Sequence, residues 1–277
     1  MAKPKEIKDL SRKTPAEIAK ALADQIEVID DVGKGLKIEA IPTKLATLDW
    51  ALGCGGLPKG RIIECFGPFG HGKTSLALHF VACVQAAGYK AAYIDAEHAL
   101  DPSMMDWFKI DRKTLLFNQP NSGEEALDLV NTLMRSRAVT LVVVDSVAAL
   151  VPQYEIDRSF TEPTIGLQAR MMSGALRKLS VSVAEAKAIL VFVNQTRSKI
   201  GVFMGNNTET PGGQALKFYA GQRLEVRRTE MVKTNNKIVG MDARVRVVKN
   251  KCATPFRVAE IKLLFGKGWQ SGKADKE

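Results

Sequence analysis

Gly67-Pro68-Phe69-Gly70-His71-Gly72-Lys73-Thr74 fits the pattern G-x-x-x-x-G-K-[ST], the strongest chemical signal in the chain. An apolar run at 61–66 precedes it and a helical pattern follows it, the context in which such a loop wraps a phosphate. Its glycines let several backbone N–H groups and a helix N-terminus converge on an anion, which offsets the cost of desolvating it. The expected ligands are ATP and Mg²⁺, with Lys73 meeting the β- and γ-phosphates and the Thr74 hydroxyl holding the metal. A glycine turn that merely ends in Lys-Thr is the bland alternative, and the flanking strand and helix argue against it.

The run Leu141-Val142-Val143-Val144-Asp145 ends in a carboxylate. After a phosphate loop, Asp145 is expected to reach the magnesium shell, although aspartates at strand ends also cap turns. Hydrolysis needs a group that orients or deprotonates water. Glu97, just past an expected strand at 90–95, is the candidate base, with Asp95 and His98 competing for the role. Gln195 follows the apolar run at 188–194 and faces the same sheet edge. Its amide could report the γ-phosphate to the next loop, or it is an ordinary satisfied strand-end glutamine; the residues alone leave both open.

These groups need a scaffold that gathers strand ends. Near-continuous apolar strands at 61–66, 90–95, 140–145 and 188–194 alternate with helical periods near 74–87, 123–137 and 166–186, which predicts a mainly parallel sheet flanked by helices. Strands with alternating polar residues at 223–228, 243–249 and 259–265 predict an antiparallel extension. Thr14, Pro15 and Glu17 open a short amphipathic helix to about residue 28, which docks either on the body or on a neighbouring subunit. The stretch 196–213, with Gly201, Gly205, Gly212 and Gly213, reads as a long functional loop without structure of its own. The expected divisions are 1–36 (helix and linker), 37–268 (core) and 269–277 (a short basic tail).

The 277 residues suit one large domain with a small appendage, and 45% hydrophobic with 25% charged residues excludes wholesale disorder. No window approaches a membrane span and the N-terminus is polar, so the expected location is cytoplasmic. Cys54, Cys65, Cys83 and Cys252 are scattered, which argues against a zinc site or a disulfide framework and reads as reduced packing residues. The net charge of +10 favours a polyanion, weakly, because a solvated lysine-rich face is the default explanation of such an excess.

The segments TLDWALGCGGLPKGRIIE, YIDAEHALDP, VVVDSVAALVP, ARMMSGALRKL, VNQTRSKIGV, GGQALKFYA and VRVVKNKCATPF occur in order, and with them the chain resembles the bacterial and phage RecA recombinases from about Leu22 to Gly268. The resemblance implies a RecA-like P-loop NTPase core that filaments on single-stranded DNA, pairs it with homologous double-stranded DNA and exchanges strands in recombination, DNA repair and the SOS response to DNA damage. It gives Glu97 the catalytic-carboxylate role and Gln195 the γ-phosphate sensor role. Lys249 and Lys251 take the place of lysines reaching a neighbouring subunit's ATP. The nucleotide site extends to Ser75, Asp101, Met104, Phe265 and Gly266. Residues 153–165 and 196–213 become the two DNA-binding loops, with Ile165, Arg170, Ser173, Arg177, Ile200, Gly212, Gly213 and Gln214 as DNA contacts. Ile165 and Ile200 match side chains that wedge between base triplets, and the N-terminal helix matches a polymerisation arm. Read from spacing alone, Lys249 and Lys251 are also compatible with a solvated strand face, and Arg170 with Arg177 with an ordinary basic helix face.

Some positions depart from the family pattern. Phe69-Gly70-His71 replaces small polar residues, Met104 and Phe265 stand where adenine-contacting tyrosines are common, and Ile165 stands where a methionine is usual. Phe203-Met204 appears in swapped order, Glu209 adds a carboxylate near the DNA, and Gln214 replaces an asparagine. The family's C-terminal domain and acidic tail have no counterpart before Glu277, so duplex capture and regulation are expected to differ. The alternative expectation is a RecA-like accessory DNA-binding ATPase without efficient strand exchange; a ring-forming motor of the helicase type is a third.

Overall fold

The structure is a computed structural model that describes residues 38–159, 162–198 and 208–272. The chain divides into residues 1–37 and 38–277. The first unit, with the expected N-terminal helix, lies outside the described residues.

A nine-stranded sheet is the frame. Its strands are β1 (Arg61–Gly67), β2 (Ala91–Asp95), β3 (Leu116–Asn118), β4 (Leu141–Asp145), β5 (Ile189–Gln195), β6 (Gln222–Thr234), β7 (Lys237–Asn250), β8 (Val258–Leu264) and β9 (Gly268–Ser271). The spatial order is β9-β8-β7-β6-β1-β5-β4-β2-β3. Strands from β6 to β3 pair parallel and those from β6 to β9 pair antiparallel. The expected α/β architecture is present. Its cause is visible in β4, where Leu141 and Val143 join the core on one face while Val142 and Val144 join the core on the other. A strand apolar at every position has both faces to cover, and helices cover both.

The helices are α1 (Ala46–Leu52), α2 (Lys73–Ala86), α3 (Ser103–Trp107), α4 (Gly123–Arg135), α5 (Gln153–Ile156), α6 (Leu167–Ala186) and α7 (Ala215–Tyr219). α1 and α2 pack on one face of the sheet, α4 and α6 on the other. Ser122 caps α4 by accepting from the Glu125 N–H at 3.2 Å. α6 buries Met172, Leu176, Leu179 and Val183, a stripe at helical spacing. None of the described helices is long and apolar enough to cross a membrane.

Three expectations change. β6 and β7 are longer than the expected 223–228 and 243–249, because their outer halves form a ribbon closed by Asn235 and Asn236, both at positive φ, with Thr234 opposite Lys237. That two-residue Asn-Asn turn suits the twist of a hairpin, but the ribbon buries little and so carries no alternation to read. The sheet also runs past residue 268 into the expected tail, since Trp269 is buried and draws Gly268–Ser271 alongside β8. Finally, neither presumed loop is featureless. Residues 153–165 begin with α5, and Arg197–Ser198 pairs antiparallel with Thr208–Glu209 at the base of the second.

Candidate functional site

The phosphate loop leaves β1 and enters α2. Gly72 has φ +86, and a Cβ built there would lie 2.3 Å from Met241 Cε and 2.9 Å from the Trp269 ring, so glycine is what lets the loop press on β7 and β9. Lys73, only 7% exposed, donates from Nζ to the Pro68 carbonyl at 2.7 Å. Burial holds its pKa below the ordinary lysine value, with Asp145 and Glu97 opposing. A buried ammonium resting on a neutral carbonyl is short of negative charge, so a phosphate fits beside it. Thr74 Oγ1 and the Tyr93 hydroxyl both donate to Asp145 Oδ2, each at 2.7 Å. Burial raises the Asp145 pKa, and these two hydrogen bonds work against it. A hydroxyl and a carboxylate in contact are hard oxygen ligands of the kind Mg²⁺ takes.

Strand register brings the other groups to the same edge: Asp95 stands opposite Asp145 and Gly67 opposite Gln195. Of the three candidate bases, Asp95 accepts from the Leu100 N–H at 3.1 Å and the Gln119 amide at 2.9 Å, which folds the following turn. His98 Nε2 is tied to the Pro120 carbonyl at 3.0 Å. Glu97 remains. Its Oε1 accepts from Gln195 Nε2 at 3.0 Å and from the Ser146 hydroxyl, and it lines the same cavity as Lys73 and Thr74.

That cavity measures about 310 Å³, with Phe69, Gly70, Gly72, Ser75 and Asp145 also in its wall. Its far end is apolar, built by Met104, Phe265 and the unforeseen Trp107, whose ring centroid lies 5.8 Å from that of Phe265. A nucleobase face suits such a wall. Gly67, Pro68, His71, Asp101 and Gly266 do not line it. His71 Nδ1 instead accepts from the Arg228 N–H at 3.0 Å, and Asp101 accepts from Ser103 at the start of α3, which lowers its pKa. Phe69 projects 86% exposed. Sequence reasoning missed Tyr93, Ser146 and Trp107; the first two sit within or beside the runs that named Glu97 and Asp145.

The expected DNA contacts gather elsewhere. Arg170, Ser173 and Arg177 lie along one face of α6, with both arginines exposed, and Ile165 just before that helix is 93% exposed. Gly212 and Gly213 approach Val147 and Ala169, and Gln214 donates to Glu209 at 3.1 Å. Ile200 lies outside the described residues. Lys249 is partly buried, donating to the Lys217 and Phe218 carbonyls at 2.6 and 2.9 Å at the end of α7. Burial lowers its pKa, and Lys251 and Arg223 add to the shift. Lys251 is exposed, and neither lysine lines this subunit's nucleotide cavity. A larger cavity of about 720 Å³ is walled by Lys217, Arg223, Arg227, Arg244 and Arg246 against Glu209 and Glu225, an excess of positive charge that sequence reasoning did not locate.

A parallel sheet whose central strand feeds a phosphate loop, with a strand-end aspartate bound to the loop threonine, defines a P-loop nucleoside triphosphatase. The RecA N-terminal domain family matches residues 16–270. Protein RecA of Symbiobacterium thermophilum is 53% identical over 233 residues, covering 84% of this chain and 67% of that protein. Protein RecA of Bacillus subtilis is 52% identical over 232 residues with the same coverage, and that of Lactobacillus johnsonii is 50% identical over 260 residues, covering 90% and 72%. The RadB recombinase structure superposes with a TM-score of 0.62 at 18% identity, over 84% of this chain and all of that one, and shows the fold alone. The chain belongs to the RecA family, and so is a recombinase of DNA repair and a DNA-dependent ATPase that associates with DNA and with itself.

Proposed function

We propose that the chain binds ATP with Mg²⁺ in the cavity beside Lys73, forms filaments on single-stranded DNA, and uses them to pair and exchange strands with homologous duplex DNA in the cytoplasm. The observation that carries the proposal is the junction of Glu97, Gln195 and Ser146 beside the Lys73, Thr74 and Asp145 cluster. Thr74 and Asp145 would hold the magnesium, which supplies charge neutralisation at the phosphates. Lys73 exchanges the Pro68 carbonyl for a phosphate oxygen. Glu97 orients and deprotonates the attacking water, and Ser146 and Gln195 fix the carboxylate's position until Gln195 turns to the γ-phosphate.

Gln195 is also where the site meets the second loop. The Thr196 N–H donates to the Gly67 carbonyl at 3.1 Å, and Asn194 Nδ2 donates to the Pro211 carbonyl at 3.1 Å and to Glu64 at 3.0 Å. Movement of Gln195 is thereby transmitted to both ends of residues 196–213, the segment assigned to single-stranded DNA with Ile165, Ile200, Arg170, Ser173, Arg177, Gly212, Gly213 and Gln214. The electropositive cavity of Arg223, Arg227, Arg244 and Arg246 suits a second, weaker hold on duplex DNA. Lys249 and Lys251 act on a neighbour's nucleotide, which makes turnover depend on assembly. Strand exchange between a circular single strand and a homologous linear duplex tests the reading: product formation requiring ATP supports it, and DNA-stimulated hydrolysis without exchange moves the chain to the accessory role.

A further inference from the structure

The described cysteines fall into two kinds. Cys65 and Cys83 are buried, as packing residues should be, and burial pushes the Cys83 thiol up to about 12 and Cys65 higher still. Cys54 and Cys252 are only partly buried and, though 198 positions apart by their numbers, adjacent in space. Cys54 lies in the turn after α1 and Cys252 directly after Lys251.

Several bonds hold these two segments together. The Leu52 carbonyl accepts from Gln222 Nε2 at 3.1 Å and from Asn250 Nδ2 at 3.0 Å, while Asn250 Oδ1 accepts from the Cys252 and Ala253 N–H groups at 2.9 and 3.2 Å. Arg257 adds a bond to the Trp50 carbonyl at 3.0 Å. The backbones are so close that a Cβ built on Gly53 would lie 2.4 Å from Ala253 Cβ. One residue on from Gly53 and one residue back from Ala253, the two thiols are neighbours, and the Cys54 S–H donates to the Gly56 carbonyl at 3.2 Å.

We propose that Cys54 and Cys252 are a thiol pair that hydrogen peroxide converts into an intramolecular disulfide, bridging the turn after α1 to the segment that carries Lys249 and Lys251. The roles within the pair are unequal. Contact with the Cys54 sulfur, with the Arg61 guanidinium beside it, outweighs burial and lowers the Cys252 thiol pKa. The same contact pushes Cys54 well up. Cys252 is therefore the attacking thiolate and Cys54 the resolving thiol.

In the first step the Cys252 sulfur attacks one peroxide oxygen. An S–O bond forms, the O–O bond breaks, and the departing hydroxide takes up the proton that Cys252 released on ionising. Cys252 is oxidised by two electrons to a sulfenic acid and the peroxide is reduced. In the second step the Cys54 sulfur attacks the Cys252 sulfur, the S–S bond forms and the S–O bond breaks. Hydroxide leaves with the proton of Cys54, so two thiols and one peroxide give one disulfide and two waters. A thiol reductant reverses the bridge, as expected of a regulatory rather than a structural disulfide.

The test is non-reducing peptide mapping of the intact chain after a brief exposure to hydrogen peroxide, with Cys54→Ser and Cys252→Ser as variants. Wild type is expected to yield a Cys54–Cys252 linked peptide that dithiothreitol removes. Cys54→Ser should leave a Cys252 sulfenic acid that dimedone traps, and Cys252→Ser should give neither product. In untreated protein near neutral pH, iodoacetamide should label Cys252 at least about tenfold faster than Cys65 or Cys83. The proposal is overturned if wild-type Cys252 accumulates as a dimedone adduct without bridging, if bridges form only between chains, or if all four cysteines label alike.

Discussion

Gln195 Nε2 donates to Glu97 Oε1 across 3.0 Å, joining the end of β5 to the turn beyond β2 at the mouth of the phosphate loop. A charge-assisted contact of this kind fixes the carboxylate and ties it to the first residues of the segment proposed to bind single-stranded DNA.

Replacing Gln195 with Ala should therefore separate chemistry from signalling. Nucleotide affinity stays near wild type, while stimulation of turnover by single-stranded DNA falls about 10- to 100-fold, the worth of one hydrogen bond to a charged group. Nucleotide binding and ATPase rates measured with and without DNA decide it. Equal losses in basal and stimulated rates would contradict the coupling role.

Glu97→Gln should lower kcat by about 10²- to 10⁴-fold with nucleotide binding retained, as expected when a general base is removed. Ser146→Ala should give a smaller loss in kcat, because it frees the carboxylate without deleting it. Steady-state kinetics, read against unchanged melting temperatures, check both.

Asp145 carries a pH signature. Its pKa is raised by burial, so the folded chain holds this proton more tightly than the unfolded one. Its contribution to fold stability is present below the unfolded value and is lost as pH rises through the folded value. Metal binding runs the opposite way, because the ionised carboxylate is the ligand. Mg²⁺-dependent nucleotide binding should weaken as pH falls towards that raised value, and Asp145→Asn should flatten the dependence. Magnesium titrations of both proteins at several pH values check it.

The two lysines of the Lys-Asn-Lys segment should part company in stability. Lys249→Ala removes the donor to the last carbonyls of α7 and should cost about 1 kcal/mol, whereas exposed Lys251→Ala should leave Tm unchanged. Thermal melts of the two variants measure the difference. Both variants should lose DNA-stimulated turnover.

What the sequence made legible was governed by burial and by local motifs. Strands such as Leu141–Asp145 announced themselves because both faces are covered, and the phosphate loop because its glycines, lysine and threonine act within eight consecutive residues. Position at the strand end made Glu97 the candidate base but left Asp95 and His98 competing, since the distinction rests on what their side chains already hold: the turn to Leu100, the Pro120 carbonyl, and Gln195. Trp107 and Trp269 were invisible as site and core residues because their partners, Phe265 and the Gly72 turn, are remote in sequence. Cys54 and Cys252 looked scattered for the same reason.

The most direct test of a nucleotide site completed between subunits mixes two inactive variants. Glu97→Gln and Lys251→Ala are each predicted to show little hydrolysis on single-stranded DNA. An equimolar mixture should recover about a quarter of the wild-type rate, the share of randomly formed head-to-tail interfaces that pair an intact Glu97 with an intact Lys251. A mixture no more active than the average of its two components would contradict the account and place the whole catalytic site within one chain.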